Sequence, residues 1–529
     1  MRNDIIKKHN SFIVLSLLVL FYAVNNYIWF RLDEFPPYAD GAYHLLRALD
    51  YFDILSRPSG GMFSALLQVD NLRPPFFPFC TAIAHFFASD IRLAAVITNI
   101  FFAAVLFISI YYSGKKIAGK NCGLLAAFTV AMYPYVFGLS RISIPDFASL
   151  AMTSLGLCLL IYTDRFKNTL FSVLLGIAIG IGILTALTFV FFLAGPMIIM
   201  AAYALIEKKE AGSKKRAFRN LCLAAVIAAL IGGVWYFPKF GSLWETYIIY
   251  GFKVRKPLSP PETFSLLSFT YYFRLLSGSQ IAPFFTIMFF IGLASFLNSK
   301  DRLSLPVVLW IIVTYAIFTL INNKHPRADC SYLPIFALVT AAGVSKLRTK
   351  WFRNSATYAI ILAGSFQFLI ISYVPVARTN IRLSFFSGRV IKGMTVPSHL
   401  CPISGVFFHH PRKGDWRLDD VMSAIEGSGP KSSDATIGIT DIYTETRTDW
   451  YDPFNLPEIY RENFVATNTD AVIYFIRSNK LGYRLVSLSL TGEKWKEGPL
   501  LDFIVSIMPL EELAPLIYRQ YALILETEI

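Results

Sequence analysis

Eleven apolar runs, each near the roughly 20 residues that cross a bilayer as a helix, constrain this chain more than any other feature. They fall near 11–30, 93–112, 122–140, 147–163, 169–185, 187–206, 221–238, 281–298, 303–321, 331–345 and 355–375. Only 16% of the 529 residues are charged, 55% are hydrophobic and 16% aromatic, with a mean hydropathy of +0.51. A soluble chain carries about a quarter charged residues, so the expected fold class is a multi-spanning α-helical membrane protein of about eleven transmembrane helices. No small-residue cleavage site clearly follows the first run, which reads as a retained anchor.

The basic residues orient these spans. Arg2, Lys7 and Lys8 precede the first, and the connections expected on the same side read "GKKIAGK", "DRFKN", "EKKEAGSKKRAFRN", "NSKDR" and "KLRTKWFRN". Short basic loops mark the cytoplasmic face. The N-terminus is therefore expected inside, and an odd span count places everything after about residue 376 outside. The formal net charge of +14 is largely topological and argues for no nucleic-acid partner.

Two parts are expected. Residues 1–376 form a membrane body whose outer loops, 31–92 and 239–280, make one working face. Residues 377–529 form a small α/β domain outside the membrane, with strand-like runs "ATIGITDIY", "DAVIYFIRS" and "YRLVSLSL" and a helix-like "DWRLDDVMSAIEG". Of six cysteines, Cys122, Cys158 and Cys222 fall inside expected spans. Cys80, Cys330 and Cys401 fall on the outer side, where sequence pairs none of them. There is no CxxC or HExxH spacing, so the metal question stays open and no cofactor is specified.

Chemistry-bearing residues gather at the outer ends of the spans. "PPYADGAYHLLRALDYF" carries Asp40, His44 and Arg47 at helical spacing, and "LRPPFFPF" carries Arg73. "SRISIPDF" supplies Arg141 and Asp146. "NNKHPRADC" supplies Lys324, His325, Arg327 and Asp329. Each has a bland alternative: Asp40 and Asp146 as helix caps, the cations as lipid-headgroup contacts, His44 as a packing residue. Taken as one site, guanidinium and ammonium groups hold a phosphate while a carboxylate orients or deprotonates an acceptor hydroxyl. Asp329, two residues beyond Arg327, is a competing partner for that guanidinium.

Together these segments resemble family 39 of the GT-C glycosyltransferases, which includes protein O-mannosyltransferases and bacterial lipid A aminoarabinose transferases. The first-loop "PPYADGAYHLLRAL", the "LRPPFFPF" segment, "SRISIPDFASL", the Gly-rich "GIAIGIGILTALTFVFFLAGP" and "NNKHPRADCSYLPIFALVTAAG" carry the resemblance over roughly 11–376. The sequence departs from the family in three places. Gly41 follows Asp40 where Asp-Glu is usual, while Asp33-Glu34 stands just upstream. "LTALT" lacks a lysine, and Ala328 and Asp329 follow Arg327 where an aromatic is usual.

The resemblance implies an inverting transfer of a sugar from a polyprenyl-phosphate-linked donor to an acceptor hydroxyl on a lipid, glycan or protein. This would take place at the periplasmic face of a bacterial inner membrane. Asp40 and Asp146 would be the catalytic acids, and Arg73, Arg141, Lys324, His325 and Arg327 would hold the donor. His44, Asp33 and Glu34 would support them. The other readings are a transporter or flippase of an anionic lipid, and a non-catalytic scaffold. Transporters place charge near the bilayer midplane, and the spans here are nearly charge-free inside.

Overall fold

The structure is a computed structural model. It describes residues 2–33, 37, 40–206, 211–245, 265–299, 304–320, 327, 329–373 and 411, with three tail strands at 436–440, 484–488 and 503–505. Contacts divide the chain into two units. The first is Met1–Asp33 with Arg47–Pro411, and the second is Glu34–Leu46 with Arg412–Ile529.

Each expected apolar run coincides with helix. The long ones are α1 (Arg2–Leu32), α5 (Ile91–Ala118), α11 (Ala211–Leu243) and α16 (Lys350–Tyr373). Shorter ones are α6 (Lys120–Ala131) with α7 (Pro134–Leu139), α8 (Asp146–Tyr162), α9 (Thr169–Thr185), α10 (Phe189–Ile206), α13 (Ala282–Asn298), α14 (Ser304–Leu320) and α15 (Leu333–Ser345). Among the described residues, four helices are long and apolar enough to cross a membrane, and a fifth if the bent pair around residue 280 is one span. The first outer loop holds three more helices, α2 (Asp40–Ser56), α3 (Met62–Gln68) and α4 (Phe76–His85). α12 (Leu266–Leu275) precedes α13.

Local chemistry sets the ends. Asp90 caps α5 by accepting from the Arg92 N–H at 2.7 Å, Asn168 caps α9 through the Phe171 N–H at 3.2 Å, and Ser265 caps α12 through the Ser268 N–H at 3.1 Å. α5 ends at Gly119, whose φ of +89° suits a residue without a Cβ.

In the first unit, α5 lies between α6 and α8, α9 runs along α11, and α13 along α15. Small residues set the closest approach. A Cβ on Gly343 would overlap the backbone of Gly292, and one on Gly292 would meet the Thr340 Cα at 2.7 Å. Such contact drives helix association in lipid, where hydrophobicity alone does not. The most apolar stretch of α5 is 61% buried, against 22% for α1 and for α16. α5 is thus a central helix, while α1 and α16 turn wide apolar faces outward.

The described part of the tail contains three strands, β1 (Thr436–Thr440), β2 (Arg484–Leu488) and β3 (Phe503–Val505). They form a parallel sheet in the order β2-β1-β3, with Thr436 opposite Arg484 and Ile437 opposite Phe503. β1 and β2 lie in two of the expected strand runs. "DAVIYFIRS" and "DWRLDDVMSAIEG" lie outside the described residues.

Candidate active site

The first unit brings two of the expected site residues into direct contact. Pro145 leads into α8 with φ of −74°, and Asp146 occupies the first turn, where the helix dipole favours a carboxylate. Asp146 is not itself the cap, since the cap position belongs to Pro145 and makes no side-chain bond. Its Oδ2 lies 3.8 Å from Nη1 of Arg327, with both side chains about a fifth exposed. Arg327 begins a turn in which its carbonyl accepts from the Cys330 N–H at 3.2 Å. Four residues on, Ser331 Oγ donates to Ser149 Oγ of α8 at 2.9 Å. The Arg327 turn is thereby fixed to the head of α8. The pair thus sets a guanidinium, a group that suits an anion, beside a carboxylate at the head of α8.

Asp329 does not take Arg327. It is buried, at 1% exposure, and its Oδ1 accepts from Gln280 Nε2 at 2.7 Å. The Tyr332 phenol is an electrostatic neighbour. Burial pushes its carboxyl up to about 7, while Gln280 and Tyr332 pull the other way. Gln280 ends a π-helical stretch, Leu276–Gln280, between α12 and α13. There the chain bends by 106°, and Ala282 adopts a φ of +71°. Gln280 had no signal in the sequence beyond the Ser277-Gly278-Ser279 break before it.

A second cluster fixes the "LRPPFFPF" turn. Asp70 Oδ1 accepts from the N–H groups of Leu72 at 2.8 Å and Arg73 at 3.0 Å. The Lys239 ammonium donates to the carbonyls of Leu67 and, at 2.5 Å, Asp70, and lies 4.8 Å from the Trp235 ring centroid. Arg47 Nη1 donates to Val69 O at 3.2 Å and pairs with Asp50 at 3.1 Å. Lys239 and Arg47 thus set the backbone that carries Arg73, which is half-buried. Lys239 falls one residue beyond an expected span, where a lysine reads from sequence as an interfacial anchor.

Arg141 is placed differently from a solvent-facing phosphate ligand. It is only 8% exposed. Its guanidinium lies 5.6, 5.1 and 5.3 Å from the ring centroids of Trp29, Phe137 and Phe368 and donates to Ser372 Oγ at 2.7 Å. Burial lowers it to about 10, offset by the neighbouring Tyr373, Tyr22 and Asp33, so it stays charged at neutral pH. Asp33 is therefore an electrostatic neighbour of Arg141. Asn26 Nδ2 donates to the Ser140 carbonyl at 3.2 Å, and Asn99 Nδ2 to the Ile142 carbonyl at 2.9 Å, fixing the backbone on either side.

Asp40 and His44 belong to the second unit. Asp40 opens α2, and His44 is buried with Tyr43 edge-on, ring centroids 5.6 Å apart. Glu34, Lys324, His325 and Cys401 lie outside the described residues. Cys80 and Cys330 are free thiols, and burial pushes Cys80 up to about 12. Among the described residues, no three His, Cys, Asp or Glu side chains gather as a metal site.

Comparison with known proteins places this geometry. The chain aligns with a crystal structure of ArnT from Cupriavidus metallidurans in the apo state over 94% of both chains, at a TM-score of 0.56 and 14% identity. The chain shares the fold of that ArnT. A structure of the same ArnT bound to undecaprenyl phosphate gives a TM-score of 0.54 at 14% identity, covering 94% of this chain and 95% of that one. The apo oligosaccharyltransferase of Archaeoglobus fulgidus gives 0.50 at 12% identity, covering 88% of this chain and 64% of that one. The family model for dolichyl-phosphate-mannose-protein mannosyltransferases matches residues 72–237, from the Arg73 turn through α8 and most of α11. No curated protein matches the chain by sequence. Asp146, Arg327 and the Asp329–Gln280 pair thus all belong to the first unit.

Proposed function

We propose that the chain is a membrane glycosyltransferase that moves a sugar from a polyprenyl-phosphate-linked donor to an acceptor hydroxyl. The observation that carries this reading is the Asp146–Arg327 pair at the head of α8, set in a fold shared with an ArnT that binds undecaprenyl phosphate. The donor's lipid tail stays in the bilayer while its phosphate meets Arg327, with Lys324, His325 and Arg73 adding positive charge. Asp40 takes the acceptor proton as the hydroxyl oxygen attacks the anomeric carbon. The carbon–oxygen bond to phosphate breaks on the opposite side, the configuration inverts, and polyprenyl phosphate leaves with the bonding electrons. Asp146 keeps Arg327 oriented. Arg141 serves as a clamp between α1 and α16.

In this reading the body, 1–376, crosses the inner membrane of a bacterium eleven times. Its N-terminus is cytoplasmic, and the tail, 377–529, is a periplasmic α/β domain. The position of buried charge favours an enzyme over a transporter. Among the described residues, the buried charged side chains of the first unit are Asp70, Arg141, Lys239 and Asp329; Asp70, Arg141 and Asp329 lie in loops, and Lys239 lies in the C-terminal part of α11.

The test is transfer from a labelled polyprenyl-phosphate sugar by the purified chain, comparing Asp40→Asn with Asp33→Asn and Glu34→Gln. Asn caps a helix as well as Asp but cannot accept the proton. Loss of a general base lowers rate by about 10²–10⁴-fold, and that loss is expected at Asp40 with the protein still folded. Near wild-type transfer by Asp40→Asn together with a large loss at Glu34→Gln would move the base upstream.

A further inference from the structure

The head of α8 is reached by a short strap, residues 140–145, and asparagines inside otherwise apolar helices hold that strap from two sides. From α1, Asn26 Nδ2 donates to the Ser140 carbonyl at 3.2 Å and to Ser140 Oγ at 3.0 Å. From α5, Asn99 Nδ2 donates to the Ile142 carbonyl at 2.9 Å. Between them the Arg141 guanidinium is held by Ser372 and three aromatic rings, and beyond them Ile144 packs into the core. Asp146 follows Pro145 at once, and its Oδ2 lies 3.8 Å from Arg327. Both amides are buried, and burying an amide is costly unless it bonds.

Stability alone does not explain Asn99. Its Oδ1 is buried and has no hydrogen-bond partner among the described residues, so the favourable bond to Ile142 is set against an unmet acceptor. A leucine there would leave the Ile142 carbonyl unmet but would bury no amide. The two choices are close in stability and differ in one respect: the amide fixes where the Ile142 carbonyl sits. A like residue at the other end of α8 shows the structural case. Asn220 of α11, also buried, donates from Nδ2 to the Phe166 carbonyl at 2.8 Å and accepts on Oδ1 from Thr169 Oγ1 at 3.2 Å. Both ends of that amide are used. It holds the loop that leaves α8, about 26 Å from the head of that helix.

We propose that Asn99, together with Asn26, is a positioning residue for sugar transfer: the two amides fix residues 140–145 so that Asp146 meets Arg327 in the geometry that holds the donor phosphate. This rests on the reading of the Asp146–Arg327 pair as the donor site. Negative charge builds on the phosphate as its bond to the sugar breaks. A misaligned guanidinium therefore costs more in the transition state than in the bound donor. Loss of either amide lowers kcat and leaves the donor KM nearly unchanged.

The test uses the full-length chain in detergent and has two arms. The first is transfer kinetics from a labelled polyprenyl-phosphate sugar. Asn99→Leu should lower kcat by about tenfold or more, with the donor KM within about twofold of wild type. Asn220→Leu should lose at least as much thermal stability and keep its kcat. Added to Asp146→Asn, Asn99→Leu should lower the rate no further, because it acts through Asp146. Asn26→Leu should behave as Asn99→Leu does, and it decides the matter if Asn99→Leu does not fold. The second arm is amide hydrogen exchange. Residues 140–149 should exchange faster in Asn99→Leu and Asn26→Leu, whereas in Asn220→Leu the increase should be confined to the loop around Phe166. Unchanged kcat in both strap variants, losses that multiply with Asp146→Asn, or unchanged exchange at 140–149 would each overturn the inference. A wild type that transfers no sugar would overturn the proposed function, and exchange at 140–149 would still decide whether the amides fix the strap.

Discussion

Arg327 was marked from sequence as a phosphate ligand by charge and company, and its contact with Asp146 is geometry that a sequence does not contain. A guanidinium offers a planar fork that an ammonium does not reproduce. Arg327→Lys should therefore lower kcat/KM for the donor by about tenfold and Arg327→Ala by more, read from transfer kinetics with thermal unfolding unchanged. Equal kinetics in all three forms would remove Arg327 from the donor site. Charged residues at span ends were legible because charge is rare in this chain. Gln280 was not, because a neutral amide at the edge of an apolar run carries no such contrast. Asp329 was legible as a carboxylate but suggested the wrong partner, since nearness along the chain misleads on a turn. Lys239 was hidden by its span-end position. Its ammonium holds two carbonyls of the Arg73 turn, so Lys239→Met should raise the donor KM more than it lowers kcat. The opposite split would make Lys239 part of the chemistry.

At the level of elements, apolar runs located the helices well, because span length and hydropathy are properties of the local sequence. They did not reveal how helices are interrupted. The stretch 239–280 reads as one loop, yet 266–275 is helical and meets α13 through a sharp bend. The Ser277-Gly278-Ser279 cluster marks where regular bonding fails, but not the direction the chain then takes. Helix contacts are similar: glycines are visible in the sequence, while their pairing is not. Gly292 and Gly343 meet backbone to backbone, so Gly343→Val should destabilise the body by about 1–3 kcal/mol or more through overpacking. Gly241, with open space where a Cβ would go, supplies the control. Gly241→Ala should be neutral or stabilising by roughly 0.5–1 kcal/mol. Thermal unfolding in detergent reads both, and an unaffected Gly343→Val would mean that α13 and α15 are not in contact at this point.

For the whole molecule, the alternation of basic and mixed loops predicts sidedness. A reporter active only in the periplasm, fused after residue 376 or at the C-terminus, should be active, and a cytoplasm-only reporter there should be silent. The reverse result would change the parity of the span count and separate the proposed site between two faces. Sidedness is an expectation that depends on summed loop charge. The number of crossings was less legible: helices of 17 residues such as α8, α9 and α13 are about 26 Å long, close to the hydrocarbon thickness, where length alone does not decide. The tail sheet was partly legible. β1 and β2 lie in alternating, β-branched runs, while the three residues of β3 are too few to show a period.

The cage around Arg141 also orders events in time. Trp29 and Phe137 are made early, but Phe368 and Ser372 belong to the last helix of the body, with 231 residues separating Arg141 from Ser372. At roughly 5–20 residues per second of synthesis, the guanidinium waits about ten to fifty seconds for its final partners. Throughout that interval the nascent chain carries a half-sheltered cation, although α1 already has α5 and α6 to pack against. The arrival of α16 is therefore the step that seals the bundle.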